Sequence, residues 1–134
     1  MLYHRHIIDD DYYDDKIIGI YSSYYNARKT IKFYSGLPGF SDSPDGFHIE
    51  PFYISLPKKS RSGSKIFLYI LIEEKVFEDY ELSEAYIVYS SRIKAVWSKL
   101  VKTILLRSFG DFRLSIDKYY VDEDNWREGF VTID

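Results

Sequence analysis

The sequence predicts an α+β fold of two related β-β-α-β halves, mainly antiparallel sheet with two helices, and three observations support this. Four short tracts recur in the same order along the chain. Within each half, apolar residues change from strand spacing to helix spacing and back. The composition, with 14 tyrosines and nine phenylalanines in 134 residues, favours aromatic side chains suited to pleated, half-buried surfaces.

The recurring tracts decide the architecture. Leu2-Tyr3 opens one apolar segment and Leu68-Tyr69 another. IIGIYSS at 17–23 is answered by YIVYSS at 86–91, each followed by an alanine in a helical pattern, Ala27 and Ala95. IEPFYI at 49–54 is answered by IDKYYV at 116–121. The halves are therefore 1–56 and 65–134, joined by a Lys-, Ser- and Gly-rich linker at 57–64. A half of this length is marginal alone, so the chain is expected to form one domain, 1–134.

Each element has a local reason. Residues 2–8 and 16–21 are strand-like runs around an acidic loop, the pattern of a hairpin. Ser22 or Ser23 can cap a helix carrying Tyr24, Ala27, Ile31 and Tyr34 at helical spacing, which Gly36, Pro38 and Gly39 stop. A turn-rich segment leads to a third strand at 47–56, where Pro51 implies an edge position or a bulge. In the second half, 65–72 and 85–89 bracket another acidic loop. Ser90 or Ser91 caps a helix with Ile93, Val96, Trp97, Leu100, Val101, Ile104 and Leu105 along one face. That stripe is expected to cover a sheet face. Gly110 ends the helix and 112–121 forms the last strand.

Several tracts carry a resemblance. Residues 18–23, Ala27, Ile31, 38–40 (PGF), 46–49 (GFHI) and 122–130 (DEDNWREGF) match a recurring pattern. In that pattern an IGVYSS-like hairpin precedes a helix, a PGF turn, a GF-x-I strand and an acidic-Trp-x-x-GF ending. In these tracts the chain resembles a family of small bacterial proteins of unknown function. It departs from the pattern at 65–108, which stands between the GF-x-I strand and the tryptophan ending. The resemblance covers the first half and the tail and implies no established activity. By analogy of class, small bacterial proteins of this makeup include immunity proteins.

Catalytic signatures are missing from the sequence. There is no cysteine, hence no thiol nucleophile, disulfide or thiolate-bound zinc. There is no G-x-S-x-G elbow and no phosphate loop; Arg61-Ser62-Gly63-Ser64-Lys65 lacks the spacing. His4 and His6 alternate on a strand and share a face, but no third ligand stands at a recognisable spacing. The expectation is a protein that is not an enzyme and takes no metal or cofactor. The run 66–72 is too short to span a bilayer, and 1–8 does not read as a secretory signal. The chain is read as soluble, cytoplasmic and without membrane contact.

What remains is a binding surface. The net charge of −3 conceals clusters: Asp9, Asp10, Asp11, Asp14 and Asp15; Glu73, Glu74, Glu78, Asp79, Glu81 and Glu84; and Asp122, Glu123 and Asp124 beside Trp126. These residues other than Glu84, with Trp126 as an anchor, are the candidate partner contacts. Asp122 can instead cap a short turn, with Trp126 and Phe130 folding back as core plugs. The favoured reading is a protein-binding inhibitor, an immunity protein that neutralises a bacterial toxin domain with a basic cleft. The alternative is nucleic-acid binding through basic helix faces, Arg28, Lys29 and Lys32 on the first helix and Arg92, Lys94, Lys99, Lys102 and Arg107 on the second.

Overall fold

Alternation along the first residues folds them into an antiparallel hairpin, β1 (Leu2–Ile7) with β2 (Tyr13–Gly19). Leu2 and His4 point inward and are fully buried, while Tyr3 and Arg5 occupy the other side. The computed structural model describes residues 1–56 and 65–131, and the linker read at 57–64 lies outside them. The fold is α+β, with two antiparallel three-stranded sheets and two helices. The chain forms two units, Met1–Pro51 with Val121–Asp134, and Phe52–Tyr120. Residues 121–134, read from the sequence as the end of the second half, thus join the first unit.

In the first unit β2 starts earlier than the apolar pattern implies. Tyr13, Asp14 and Asp15 pair with Ile7, His6 and Arg5 instead of lying in the loop. The reason is electrostatic. The Arg5 guanidinium donates two parallel hydrogen bonds of 2.8 Å to Asp15, whose side chain is inaccessible to solvent, and Arg5 lies 3.8 Å from the centre of the Tyr13 ring. Helix α1 (Tyr24–Tyr34) is capped by Ser23, which accepts from the Asn26 amide at 3.1 Å. A short 3-10 turn (Pro44–Gly46) then leads into β3 (Phe47–Ile49). Strand β3 is shorter than the 47–56 run and lies at the sheet edge, in the order β2-β1-β3. Pro51, which has no amide hydrogen to give, follows shortly after its end. Leu2, Ile18, Ala27, Tyr34 and Phe40 form the core, with Ile31, Phe47 and Phe130 packed against it.

The second unit repeats the order. Strands β4 (Phe67–Val76) and β5 (Glu81–Tyr89) form the hairpin, helix α2 (Arg92–Leu106) follows, and β6 (Phe112–Tyr120) pairs with β4, giving the order β5-β4-β6. Here too the strands run further into the acidic loop than the apolar pattern suggests, so Glu73, Glu74 and Glu81 are strand residues. A register shift after Glu73 leaves Glu84 as the extra residue of β5.

The tail completes the first unit. Ile20 bridges Val121, the Asp122 amide donates to the Ile20 carbonyl at 2.8 Å, and the Asn125 amide donates to the Ile18 carbonyl at 2.8 Å. The Tyr34 hydroxyl donates to the Asn125 carbonyl. The PGF and EGF tracts then clasp each other, with the Phe130 amide donating to the Pro38 carbonyl at 3.0 Å. Gly39 (φ 80°) and Gly129 (φ 75°) are both left-handed. A β-carbon on Gly39 would lie 2.6 Å from the Phe130 carbonyl oxygen, and one on Gly129 would lie 2.5 Å from that of Pro38. Alanine at either position combines a strained backbone with a backbone clash. Each substitution is expected to cost on the order of 2 kcal/mol or more, read as a lower urea midpoint with unchanged slope. Unchanged midpoints would show that the clasp is dispensable.

Candidate functional site

Helix α2 sets its apolar stripe to solvent, which reverses the expectation that the stripe covers a sheet. Only Ala95 is buried. Ile93, Trp97 and Ile104 are 70%, 64% and 69% exposed, and Val96, Leu100, Val101 and Leu105 are exposed beside them. The sheet-facing side is polar instead. The Tyr89 hydroxyl donates to Ser98 at 2.6 Å, and the Lys102 ammonium donates to Glu73 at 2.8 Å. These bonds fix the helix's rotation about its axis, since they need Ser98 and Lys102 to face inward. The same rotation turns the opposite arc, with residues at i, i+4, i+7, i+8 and i+11, outward.

Comparison with α1 shows that the fold does not require this. Aligned on Ala27 and Ala95, both buried, the places of Trp97 and Leu100 are held in α1 by Lys29 and Lys32. The places of Lys99 and Lys102 are held by Ile31 and Tyr34, which join the core. The two helices thus occupy equivalent topological positions with inverted polarity at these four places, although Tyr25 and Phe33 of α1 are exposed where α2 has Ile93 and Val101. The seven exposed apolar residues of α2 form a row of large side chains of the kind that monomers seldom leave bare together.

Beside this face runs a groove between α2 and the sheet, about 730 Å³ in volume, where Arg92, Lys99 and Lys118 stand with Tyr69, Leu100 and Ile116. No carboxylate lines it. Arg92 and Lys99 meet no acidic group within 4 Å among the described residues, while Lys118 lies 4.0 Å from the centre of the Phe67 ring. Sequence reading missed this groove because Lys118 is far along the chain from the helix. It also missed the direction of the stripe, although setting Lys29 and Lys32 against Trp97 and Leu100 was a signal.

The acidic candidates separate into two kinds. Asp9, Asp10 and Asp11 are exposed at the tip of the first hairpin, and Glu78 and Asp79 at the tip of the second, beside stacked Phe77 and Tyr80. The others are engaged within the fold. Asp14 pairs with Lys16, Asp15 with Arg5, Glu73 with Lys102, and Glu74 and Glu81 with Arg113. Burial, with Glu81 nearby, raises the Glu74 carboxyl above its usual range. Asp122 caps no turn of its own; it accepts from the Ser22 amide at 3.0 Å and the Ser22 hydroxyl at 2.6 Å. Asp124 accepts from the Tyr21 hydroxyl at 2.5 Å, and burial and that carboxylate raise the phenol well above its ordinary value. Glu123 is exposed, and its carbonyl lies against Gly19. Trp126, left-handed at φ 60° and 43% exposed, holds the Lys16 ammonium 4.8 Å from its ring, while Phe130 fills the core as expected.

Among the described residues no group of three or more His, Cys, Asp or Glu is placed to hold a metal ion, and no helix is long and apolar enough to cross a membrane. No family model, curated protein or solved structure matches the chain.

His4 is a buried structural group. Its Nε2 donates to the Ser43 carbonyl at 2.7 Å, Phe40 and Phe47 pack edge-on to the ring, and Nδ1 has no partner among the described residues. Burial lowers its pKa below the ordinary 6.5, with the neighbouring His6 and His48 acting in the same direction. The unfolded chain therefore takes up a proton that the folded chain resists, and stability falls as pH drops through about 6.5. His4→Phe is expected to flatten the dependence of the urea midpoint between pH 7 and pH 5.5. A slope equal to that of the parent would assign the effect elsewhere.

Proposed function

We propose that the protein is a binding module that acts by docking a protein partner, with the exposed face of α2 as its docking surface. The observation that carries this is the inverted polarity of α2 against α1 at those four places. Water-exposed Ile93, Trp97, Leu100 and Ile104 cost free energy that a lysine at the same position would not. A bare apolar face that includes a tryptophan fits an interface core.

Within that reading the protein is an inhibitor of the immunity-protein kind, which neutralises a bacterial toxin by occupying it and needs no catalytic group. The exposed acidic tips, Asp9 to Asp11 on one hairpin and Glu78 with Asp79 on the other, are suited to steering a basic target. A second reading is supported by the cationic groove. Arg92, Lys99 and Lys118 beside Tyr69 combine phosphate-binding charge with a ring on which a base can stack.

Capture from native lysate with the tagged protein tests the docking reading. One stoichiometric protein partner is expected to survive moderate salt and to be lost from the Trp97→Glu/Ile104→Glu double variant. With that partner in hand, Asp10→Lys/Asp79→Lys is expected to slow association several-fold and weaken its salt dependence. A partner retained unchanged by the α2 double variant would remove the helix as the docking surface. Co-purifying nucleic acid released by salt would favour the groove.

A further inference from the structure

We infer that the α2 surface takes an acidic amphipathic helix, one whose apolar side covers Trp97 and Ile104 and whose carboxylates enter the groove of Arg92, Lys99 and Lys118. The inference rests on the docking reading of α2 and adds the chemistry of the partner.

Charge complementarity carries it. From Arg92 to Leu106 the helix holds four cations and no acidic residue, and Arg107 follows directly. Lys102 is neutralised by Glu73 beneath the helix. Arg92, Lys94, Lys99 and Arg107 meet no carboxylate within 4 Å among the described residues. On a helical wheel Arg92 and Lys99 lie on the groove side of the apolar arc, beyond Thr103, while Lys94 stands on the other flank between Val101 and Leu105. The strip of Ile93, Trp97, Leu100 and Ile104, flanked by cations, is complemented by an apolar strip flanked by anions. Helix-in-groove recognition reads such a strip through i, i+4, i+7 and i+11 anchors, the spacing of Ile93, Trp97, Leu100 and Ile104.

Other occupants fit less well. A second copy packing α2 against α2 would oppose like charges along both margins with no acid on either helix. A nucleic acid would use the cations and leave the apolar strip wet. An anionic bilayer suits a basic amphipathic helix lying on a flat surface, yet Lys118 belongs to β6 and pairs across to Tyr69 at the sheet level. A flat headgroup plane reaches the crest of α2 more easily than a cation carried by the sheet beside it.

The test uses the full chain and a fluorescently labelled synthetic helical peptide with leucines on one face and glutamates at both margins. Its counterpart carries lysines in place of the glutamates. Anisotropy at low salt is expected to give at least tenfold tighter binding of the glutamate peptide. The Arg92→Glu/Lys99→Glu/Lys118→Glu variant is expected to invert that preference, and Trp97→Glu to abolish both. All these positions except the partly buried Lys99 are exposed. Circular dichroism and the parent protein's own choice between peptides keep the test independent of variant folding. Equal binding of the two peptides, or a preference unmoved by charge reversal, would overturn the inference. So would binding to phosphatidylglycerol vesicles or to a single-stranded oligonucleotide in preference to the glutamate peptide. If the native partner needs α2 but the peptides do not discriminate, the docking reading stands and this inference alone falls. If the glutamate peptide binds through α2 but the native partner does not, the docking reading falls alone.

Discussion

The first unit depends on a clasp between two turns about ninety residues apart in sequence. Pro38-Gly39-Phe40 and Glu128-Gly129-Phe130 approach so closely that neither glycine has room for a β-carbon. Phe40 and Phe130, brought edge to face by that approach, fill the core beside His4. Without the tail, Ile18 and Ile20 would lose hydrogen-bond partners for their carbonyls, and Tyr34 would lose the acceptor of its hydroxyl. The whole second unit lies in the chain between β3 and this closing segment. Closure therefore waits on long-range contacts, and the entropy of bringing such distant segments together falls on the clasp.

The second unit solves the same problem with different side chains. In α1 the inward positions after the buried alanine are Thr30, Ile31 and Tyr34; in α2 they are Ser98, Lys99 and Lys102. Polar groups beneath a helix are tolerable when paired or solvated; Tyr89 pairs Ser98, Glu73 pairs Lys102, and Lys99 opens on the groove. Those two bonds leave the apolar arc nowhere to go but outward. Orientation here is set by a few polar contacts rather than by burial of the largest hydrophobic face. The apolar side chains are thereby free to serve something other than the protein's own fold.

This is also where the sequence could and could not be read. Strand and helix order followed from periodicity and from the recurring tracts, since alternation in 2–7 and serines before Ala27 and Ala95 are local signals. The closing of the chain was not local. Nothing in DEDNWREGF states that Asp122 will reach Ser22 or that Gly129 will meet Pro38. The direction of α2 was hidden for a related reason. An amphipathic stripe announces a helix and a buried face, but not which neighbour buries it, and the deciding partners, Tyr89 and Glu73, belong to strands.

The acidic residues teach the complementary point about charge. In sequence they form three clusters of one sign, which invites a reading as three negative surfaces. Folding distributes them by what stands opposite. Arg5 draws Asp15 out of solvent into a bidentate pair, Lys102 takes Glu73, Ser22 takes Asp122, and Arg113 serves Glu74 and Glu81. The hairpin tips, where no strand faces the side chain, keep their carboxylates in water. The cations of α2 show the converse. Scattered among apolar residues in the chain, Arg92 and Lys99 converge with Lys118 of a neighbouring strand into a groove lined by no acid among the described residues. Net potential at a surface is thus a property of what the fold leaves unpaired, and by that measure the most distinctive charged feature of this acidic protein is positive.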